Sequence, residues 1–190
     1  MPPALKLITD PPRELAPISD FVDAMSTFAS GVVLVTSWVA DRPWGMTVTA
    51  FASLSAAPPT ILVSLGSATT SARAITATGS FGVSILAEEQ RAVARFGSEP
   101  GGAKFLEQFV DPNEGSSSSP VVAGALAHID CELFEAVQMA DHTIFFGRVR
   151  AAQTSRSGTP LLYHRRAYLT PADRNAGRPR IETELTCLSS

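Results

Sequence analysis

The sequence predicts a mainly β protein, a closed antiparallel barrel with a few short helices. Six or seven short strand patterns follow one another with only two or three helical connections between them. A doubly wound parallel sheet would need a helix after nearly every strand, so the pattern favours antiparallel pairing. No GxGxxG motif follows a strand. A nucleotide cofactor would therefore have to be held by some other arrangement.

The length and composition are those of one soluble globular domain. The 190 residues are 45% apolar and 17% charged, with 15 Lys and Arg against 18 Asp and Glu, which argues against a nucleic-acid binder. Residues 1–17 contain five prolines and predict an extended or disordered arm, residues 18–170 predict the folded domain, and residues 171–190 predict a flexible tail. Neither a secretory signal nor a bilayer-length apolar run is present, so we expect a cytoplasmic protein.

A short helix opens the domain. In "SDFVDAMSTFASG" Ser19 or Asp20 can cap the helix and Gly31 can end it. The apolar side chains of this segment fall on one helical face, namely Phe21, Met25 and Phe28. A cluster of β-branched residues, "VVLVTSWV", then changes the period to that of a strand, and "ADRPWG" supplies a turn.

The following stretch, "GMTVTAFASLSAAPPTILVSL", begins with a strand on which hydroxyl side chains alternate: Thr47, Thr49, Ser53 and Ser55. Two adjacent prolines close the turn into the next strand. The remaining strands are predicted at 60–66, 80–86, 127–139, 142–154 and 160–169. Helices are predicted from near Thr70 to Gly79 and over residues 87–99, and the Ser-rich segment 111–120 is predicted to be a mobile surface loop.

Motifs for metal or nucleophilic chemistry are lacking. The three histidines show no zinc-ligand spacing, and no GxSxG elbow occurs, so we predict no metal site and no serine nucleophile. Cys131 and Cys187 are expected to be free thiols in a reducing compartment. Since Cys131 lies within an apolar strand pattern, we expect an inert core thiol.

The hydroxyl-rich segments have two possible meanings. Thr47 and Thr49 share one strand face, which is either an exposed threonine-rich surface or a surface that bonds the edge of a planar heterocycle. The segment "SATTSAR" is either an ordinary helix cap with a solvated Arg73 or a phosphate cradle made by a helix N-terminus and that arginine. Lys104 in "GGAKF" is either a further phosphate contact or an ordinary surface lysine without a specific role.

Five segments, in this order and spacing, resemble the short-chain flavin reductases, the reductase components of two-component flavin-dependent monooxygenases. The resemblance covers about residues 21–169 and rests on "FASGVVLVTSW", "GMTVTAFASLSAAPPTILVSL", "SARAITATGSFGVSILAEEQRAVARF", "ADHTIFFGRV" and "GTPLLYHRRAY". It implies a Greek-key flavin-binding split barrel, a homodimer, and a separate monooxygenase partner. It also implies FMN or FAD as the flavin and NADH, or else NADPH, as the reductant.

The resemblance implies a role for residues at matching positions. Ring or ribityl contacts would come from Thr47, Val48, Thr49, Ala50, Ser64, Leu65 and Ser84. Phosphate contacts would come from Ser71, Ala72, Arg73 and Lys104. The nicotinamide would lie by His142, the catalytic candidate, with Tyr163, Arg165 and Arg166 at the same mouth.

Two positions depart from the family pattern: Ser84 replaces a frequent Asn, and Ala140 replaces a frequent Gly. The predicted function is hydride transfer from NAD(P)H to FMN or FAD, with release of the reduced flavin. The alternatives are a split-barrel enzyme that retains its flavin and reduces an organic substrate, and a non-catalytic flavin- or haem-binding protein.

Overall fold

The computed structural model describes residues 15–111, 118–155 and 157–171. Most of the predicted arm and tail, the centre of the Ser-rich segment 111–120 and Cys187 lie outside these residues, and the predicted boundaries of the domain remain predictions. None of the described helices is long and apolar enough to cross a membrane. The cytoplasmic location remains a prediction from the sequence.

Short helices and many strands make up the chain, as the sequence predicts. The helices are α1 (Ile18–Ser26), α2 (Thr70–Thr78) and α3 (Arg91–Ser98), the last preceded by a 3₁₀ turn at Glu88–Gln90. The strands are β1 (Ser30–Gly31), β2 (Val33–Val39), β3 (Arg42–Val48), β4 (Phe51–Ala56), β5 (Pro59–Gly66), β6 (Ser80–Ile85), β7 (Ala127–Met139), β8 (His142–Thr154), β9 (Leu162–His164) and β10 (Ala167–Leu169). The predicted bounds of β7 and β8 are confirmed to the residue.

The strands form one large and one small antiparallel sheet. The seven-stranded sheet has the order β3-β2-β6-β7-β8-β5-β4, and the three-stranded sheet has the order β1-β9-β10. All seven strands of the large sheet contribute to a single core, which includes Val35, Val63, Phe81 and Phe145 and is covered by Ile75 of α2. The large sheet therefore wraps around its own apolar face, which is how it buries enough apolar surface to be stable.

The prediction of a closed barrel is wrong in one respect: β3 and β4 remain the two edges, and no ladder joins them within the described part of the chain. The physical reason is that the outer edge of β3 already has a partner. The outer edge of β3 bonds to residues 104–106, because Gly45 N–H donates to Lys104 O and Leu106 N–H donates to Pro43 O. At the other end of the sheet, β4 is hydrogen-bonded to β5, its inner neighbour. Segment 104–106 thus covers an edge that closure would have used.

Three local predictions also need correction. Helix α1 ends at the cap residue Thr27, whereas Gly31 lies in β1 opposite Leu162, so Gly31 does not end the helix. The alternating hydroxyls do not lie on one strand, because β3 ends at Val48 and β4 begins at Phe51. The predicted strand 160–169 is instead the hairpin of β9 and β10, which turns at two residues with positive φ, Arg165 and Arg166.

Helix α2 confirms the prediction for residues 70–79 and shows why it starts and stops there. The hydroxyl of Thr69 accepts a hydrogen bond from Ala72 N–H, which satisfies one of the free donors of the first turn. Gly79 ends the helix in the left-handed conformation with φ of 69°, which glycine adopts without steric cost. These two caps fix which residues stand in the first turn of α2.

Candidate functional site

A cavity of about 320 Å³ lies between the first half of β3 and the start of α2, and we call it the β3–α2 cavity. Its lining residues come from β3, from the first turn of α2 and the residues before it, and from segment 101–104: Trp44, Met46, Ala68, Thr69, Thr70, Ser71, Gly101, Gly102 and Lys104. The structure thus brings together two of the predicted phosphate contacts, Ser71 and Lys104.

Backbone hydrogen bonds along the edge of β3 place Lys104 at this cavity. Gly45 N–H donates to Lys104 O at 3.1 Å, and a bridge pairs Trp44 with Phe105. Burial lowers the pKa of Lys104 below its usual 10.5, while the nearby Glu99 carboxylate acts in the opposite direction. The cavity therefore holds a half-buried cation that an anionic ligand would stabilise.

Ser71 is almost fully buried at the first turn of α2, and its hydroxyl oxygen accepts a hydrogen bond of 3.1 Å from the indole N–H of Trp44. Arg73 does not line the β3–α2 cavity. Its guanidinium donates to Ala68 O at 2.6 Å and to the Thr70 hydroxyl at 3.2 Å. Together with Ala72 it lines a neighbouring cavity of about 260 Å³ that reaches Thr143 of β8. The predicted phosphate residues are thus divided between two cavities.

A third cavity, of about 310 Å³, lies between the end of β3 and the small sheet, and we call it the β3–β9 cavity. It is lined by Val32, Thr47, Val48, Thr49, Ser98, Tyr163, Arg166 and Tyr168. Five of the predicted cofactor residues meet here, and Thr47 and Thr49 share a cavity as their spacing implies. Trp44 and Met46, which come earlier in β3, line the β3–α2 cavity. The strand therefore contributes residues to two different cavities.

The hydroxyl of Thr47 is held by α3, because it donates to the carbonyl oxygen of Ala94 at 2.8 Å. The Tyr168 hydroxyl donates to the same carbonyl at 3.2 Å. Gly97 of α3 lies directly over Thr47, and a side chain there would collide with the Thr47 hydroxyl. The Thr47 hydroxyl can still accept a hydrogen bond from a ligand, but its own hydrogen is already used. Thr49, just beyond the strand, is exposed.

Three other predicted residues stand near the end of β3 or in the core beside it. Ala50 is exposed in the turn to β4, and its carbonyl accepts from Ser64 N–H at 3.0 Å. The Ser64 side chain is half-buried, whereas that of Leu65 is 1% exposed and belongs to the core. The structure therefore brings Ala50 and Ser64 together, and leaves only backbone atoms of Leu65 for a ligand.

His142 occupies the first position of β8, opposite Gly66 of β5. It is exposed and its Nδ1 lies 2.8 Å from the carboxylate of Asp141, a contact that lowers the pKa of the Asp141 carboxyl. It is absent from the described lining of the β3–β9 cavity, where Tyr163 and Arg166 stand. Arg165 is exposed, and its backbone N–H donates to Ser26 O at the end of α1. The structure thus leaves His142 apart from the residues predicted to share its mouth.

Ser84 is not brought to any of these cavities. It is fully buried, and its hydroxyl lies 3.0 Å from Nδ1 of His128 and accepts from Val122 N–H. His128 Nε2 lies 3.1 Å from Ser119 Oγ, and that hydroxyl donates to Asp130. Ser84 therefore serves a buried polar network, and we do not include it in the candidate cofactor site.

The same network corrects the prediction for the Ser-rich loop at its C-terminal end. Ser118 is anchored by bonds from its N–H and its hydroxyl to Asp130, and Ser119 is 2% exposed. Burial lowers the pKa of His128, with Asp130 acting in the opposite direction. Cys131, next to Asp130 in β7, is fully buried, which confirms that it is a core thiol. Burial raises its pKa to about 12, so little reactive thiolate is expected.

Sequence reasoning missed several residues that line the cavities. Trp44 and Met46 stand in "RPWGM", just before the alternating hydroxyls, and strand periodicity places both on the face opposite Thr47. Tyr168 lies in a strand that was predicted only as part of 160–169. Gly101 and Gly102 adjoin Lys104 in "PGGAKF", a Gly-rich signal typical of close backbone approach to a ligand.

Comparisons with known proteins show which family this chain resembles. The family model of the flavin reductase like domain matches residues 25–172. The reductase subunit HsaB of a flavin-dependent monooxygenase from Rhodococcus jostii is 38% identical over 149 residues, which span 78% of this chain and 75% of that protein. An NADH-dependent FAD reductase from Streptomyces globisporus is 35% identical over 151 residues, 76% of this chain and 82% of that protein.

A solved structure shows the same likeness in three dimensions. The NADH:FAD oxidoreductase SgcE6 of Streptomyces globisporus C-1027, in complex with NAD and FAD fragments, has a TM-score of 0.75 at 29% identity and covers 86% of this chain and 99% of that chain. Two other relatives are longer, and this chain spans 49% of one and 47% of the other. The match of the family model over most of the chain shows that this protein belongs to the flavin reductase like domain family.

Proposed function

We propose that this chain is an NAD(P)H-dependent flavin reductase, which transfers hydride to FMN or FAD and supplies the reduced flavin to a separate monooxygenase. The observation that carries the proposal is the β3–α2 cavity, where a half-buried lysine and the first turn of a helix face one small space. The family match and the printed functions of HsaB and the FAD reductase support it.

The residues of the β3–α2 cavity fit the phosphate group that FMN and FAD share. Lys104 supplies a positive charge, and the first turn of α2 has backbone N–H groups that a helix itself cannot satisfy. Ser71 is 2% exposed and lines the cavity, and no described residue accepts the hydrogen of its hydroxyl. A phosphate oxygen would satisfy this hydrogen, which is a reason for placing the phosphate here.

The flavin ring would lie where β3 turns into β4. Thr49 and Ala50 are both exposed in this turn, so a ligand that extends from the β3–α2 cavity along β3 reaches them. From Trp44 to Thr49 an extended strand covers about 16 Å. The surface offers neutral hydroxyl and backbone groups, without a charged side chain of β3 itself beyond Arg42. Such a surface orients a planar ring without holding it tightly, which suits a flavin that must leave after reduction.

A bound flavin supplies the capacity to accept a hydride from a reduced nicotinamide, so the chain needs no nucleophile of its own. Its residues would bind and orient the two cofactors and exclude water between them. We assign Tyr163 and Arg166 of the β3–β9 cavity to the nicotinamide nucleotide, with Arg165 on the same turn. The assignment of His142 to the nicotinamide rests on the family resemblance, since His142 is absent from the described lining of the β3–β9 cavity.

We also propose that the protein is a homodimer. Helix α1 buries none of its residues, although Ile18, Phe21 and Met25 form an apolar stripe that is 82%, 61% and 51% exposed. A nine-residue helix is not stable in water without packing. Two large apolar side chains of the large sheet, Leu54 of β4 and Phe134 of β7, are also exposed. A second copy would cover such areas, and sedimentation equilibrium that shows a monomer at micromolar concentration would contradict this part of the proposal.

The reductase activity is tested by following NADH and NADPH consumption with added FMN, FAD or riboflavin. We expect a rate that rises with flavin concentration and saturates. If no added flavin accelerates nicotinamide consumption, the proposed function is wrong. If the purified protein keeps its flavin through gel filtration and reduces an organic acceptor at once, the flavin-retaining alternative is correct.

A further inference from the structure

The hydrogen bond between Trp44 and Ser71 has a fixed direction. The indole Nε1–H is a donor only, so the Ser71 oxygen must accept it, at a distance of 3.1 Å. This bond uses one lone pair of the Ser71 hydroxyl and repels the hydroxyl hydrogen from that side. The Ser71 hydrogen must therefore point elsewhere.

The helix does not take this hydrogen either. Two other hydroxyls of α2 donate to the carbonyl four residues earlier, Thr76 to Ala72 O and Thr78 to Ala74 O, both at 2.9 Å. Ser71 stands in the first turn, where the residue four positions earlier is Ser67, before the helix begins. No described residue accepts from the Ser71 hydroxyl, and its side chain lines the β3–α2 cavity.

We infer that Trp44 is a positioning residue for phosphate binding: its indole N–H orients the Ser71 hydroxyl so that the hydroxyl donates its hydrogen into the β3–α2 cavity. The ligand class is a flavin that carries a phosphate, FMN or FAD, as opposed to riboflavin. This inference rests on the proposed function, since it assigns a role at the same cavity.

The surroundings hold Trp44 in the necessary orientation. The indole is 8% exposed and meets the ring of Phe105 edge to face, with centroids 5.0 Å apart and planes at 89°. Arg42 covers Phe105, with its guanidinium carbon 3.6 Å from the ring centroid, and binds Glu107 at 2.6 Å. The stack of Arg42, Phe105 and Trp44 ends at Ser71, so the indole has little freedom to turn its N–H away.

The test compares dissociation constants of FMN and riboflavin, measured by quenching of flavin fluorescence. Trp44→Phe keeps an aromatic ring against Phe105, removes the indole N–H donor and makes the side chain smaller, and the comparison with riboflavin accounts for the change in size. We expect about three- to tenfold weaker FMN binding, the effect of one lost hydrogen bond, and unchanged riboflavin binding. Trp38→Phe is the matched control, because Trp38 donates to Ser118 O on another part of the surface and should leave both constants unchanged.

A double-mutant cycle separates positioning from packing. If Trp44 acts through Ser71, then Trp44→Phe has no further effect on FMN binding in a Ser71→Ala background. Additive losses, an equal loss for riboflavin, or wild-type FMN binding by Trp44→Phe each contradict the inference. Failure of the wild-type chain to bind FMN contradicts the proposed function as well, so the two failures are distinguishable.

A second measurement keeps Trp44 in place and observes its indole N–H directly. The sequence has two tryptophans, so ¹⁵N-tryptophan labelling gives two indole N–H signals, and Trp38→Phe assigns them. We expect Ser71→Ala to shift the Trp44 signal, and FMN to shift it more than riboflavin does. If the chemical shift of the Trp44 indole N–H changes neither on Ser71→Ala nor on addition of FMN, the inference is wrong.

Discussion

Gly97 decides how closely α3 approaches the candidate site, and Gly97→Ala is the substitution that tests this contact. An added Cβ would collide with the Thr47 hydroxyl, would lie 2.6 Å from Leu34 Cδ1, and would lie 3.0 Å from the backbone N of Thr47. None of these neighbours can move easily. Leu34 is fully buried, Thr47 is β-branched, and the third atom is backbone. The helix itself must therefore move away from β3.

The expected loss of stability is the sum of two destabilising effects and one stabilising effect. Overpacking in a buried contact costs about 1–3 kcal/mol. The displaced helix also weakens the 2.8 Å bond from Thr47 to Ala94 O, a further loss of about 1 kcal/mol. Alanine regains about 1 kcal/mol through its higher helix propensity. The net loss is about 2 kcal/mol, which corresponds to a fall in Tm of roughly 4–8 °C for a chain of this size.

Thermal unfolding followed by circular dichroism measures this loss. Gly31→Ala is the control, because a Cβ at Gly31 meets nothing within 4 Å, and it should change Tm little. Since Thr47 lines the β3–β9 cavity, we also expect Gly97→Ala to weaken nicotinamide binding. A Gly97→Ala protein as stable as the wild type, or more stable, would refute the close approach of α3.

Three other predictions concern single positions. Ala140 has φ of 54°, a conformation that glycine adopts more easily, so Ala140→Gly should raise the free energy of unfolding by up to about 1 kcal/mol. The control Ala136→Gly, within β7, should lower the free energy of unfolding, and denaturant titration measures both changes. Burial lowers the pKa of His128 in the folded chain, so as the pH falls below 6.5 the unfolded chain binds a proton at His128 more readily than the folded chain does. The free energy of unfolding should therefore fall with pH in this range, and His128→Gln should make the dependence weaker. An equal slope in both proteins would contradict this prediction. His142→Ala should raise the KM for NADH more than the dissociation constant of FMN, and equal losses would count against the assignment of His142 to the nicotinamide.

Much of the secondary structure could be predicted from short sequence patterns. The β7–β8 hairpin is predictable because two long strand patterns flank a short polar turn, and α2 is predictable because Thr69 and Gly79 are ordinary caps. The break between β3 and β4 was missed because the hydroxyl alternation continues through Thr49, where the backbone leaves the strand. Side-chain periodicity indicates which residues share a strand face, but it does not indicate where the hydrogen bonding between strands ends.

The parts that sequence reasoning could not supply depend on contacts between distant segments. Residues 104–106 cover the edge of β3, which leaves the sheet open and brings Lys104 to the cavity that Ser71 also lines. Ser84 was placed at the cofactor by resemblance, yet its partner is His128, 44 residues away in sequence. Trp44 carried no signal of its own, because its importance comes from the direction of one hydrogen bond.

The central claim is that this chain reduces a flavin that then leaves. We would incubate the protein without oxygen, with NADH and a large excess of FMN, pass the mixture through an ultrafiltration membrane, and measure reduced FMN in the filtrate. The account predicts many equivalents of reduced FMN per protein chain in the filtrate. At most one equivalent of reduced flavin, retained above the membrane with the protein, would contradict it.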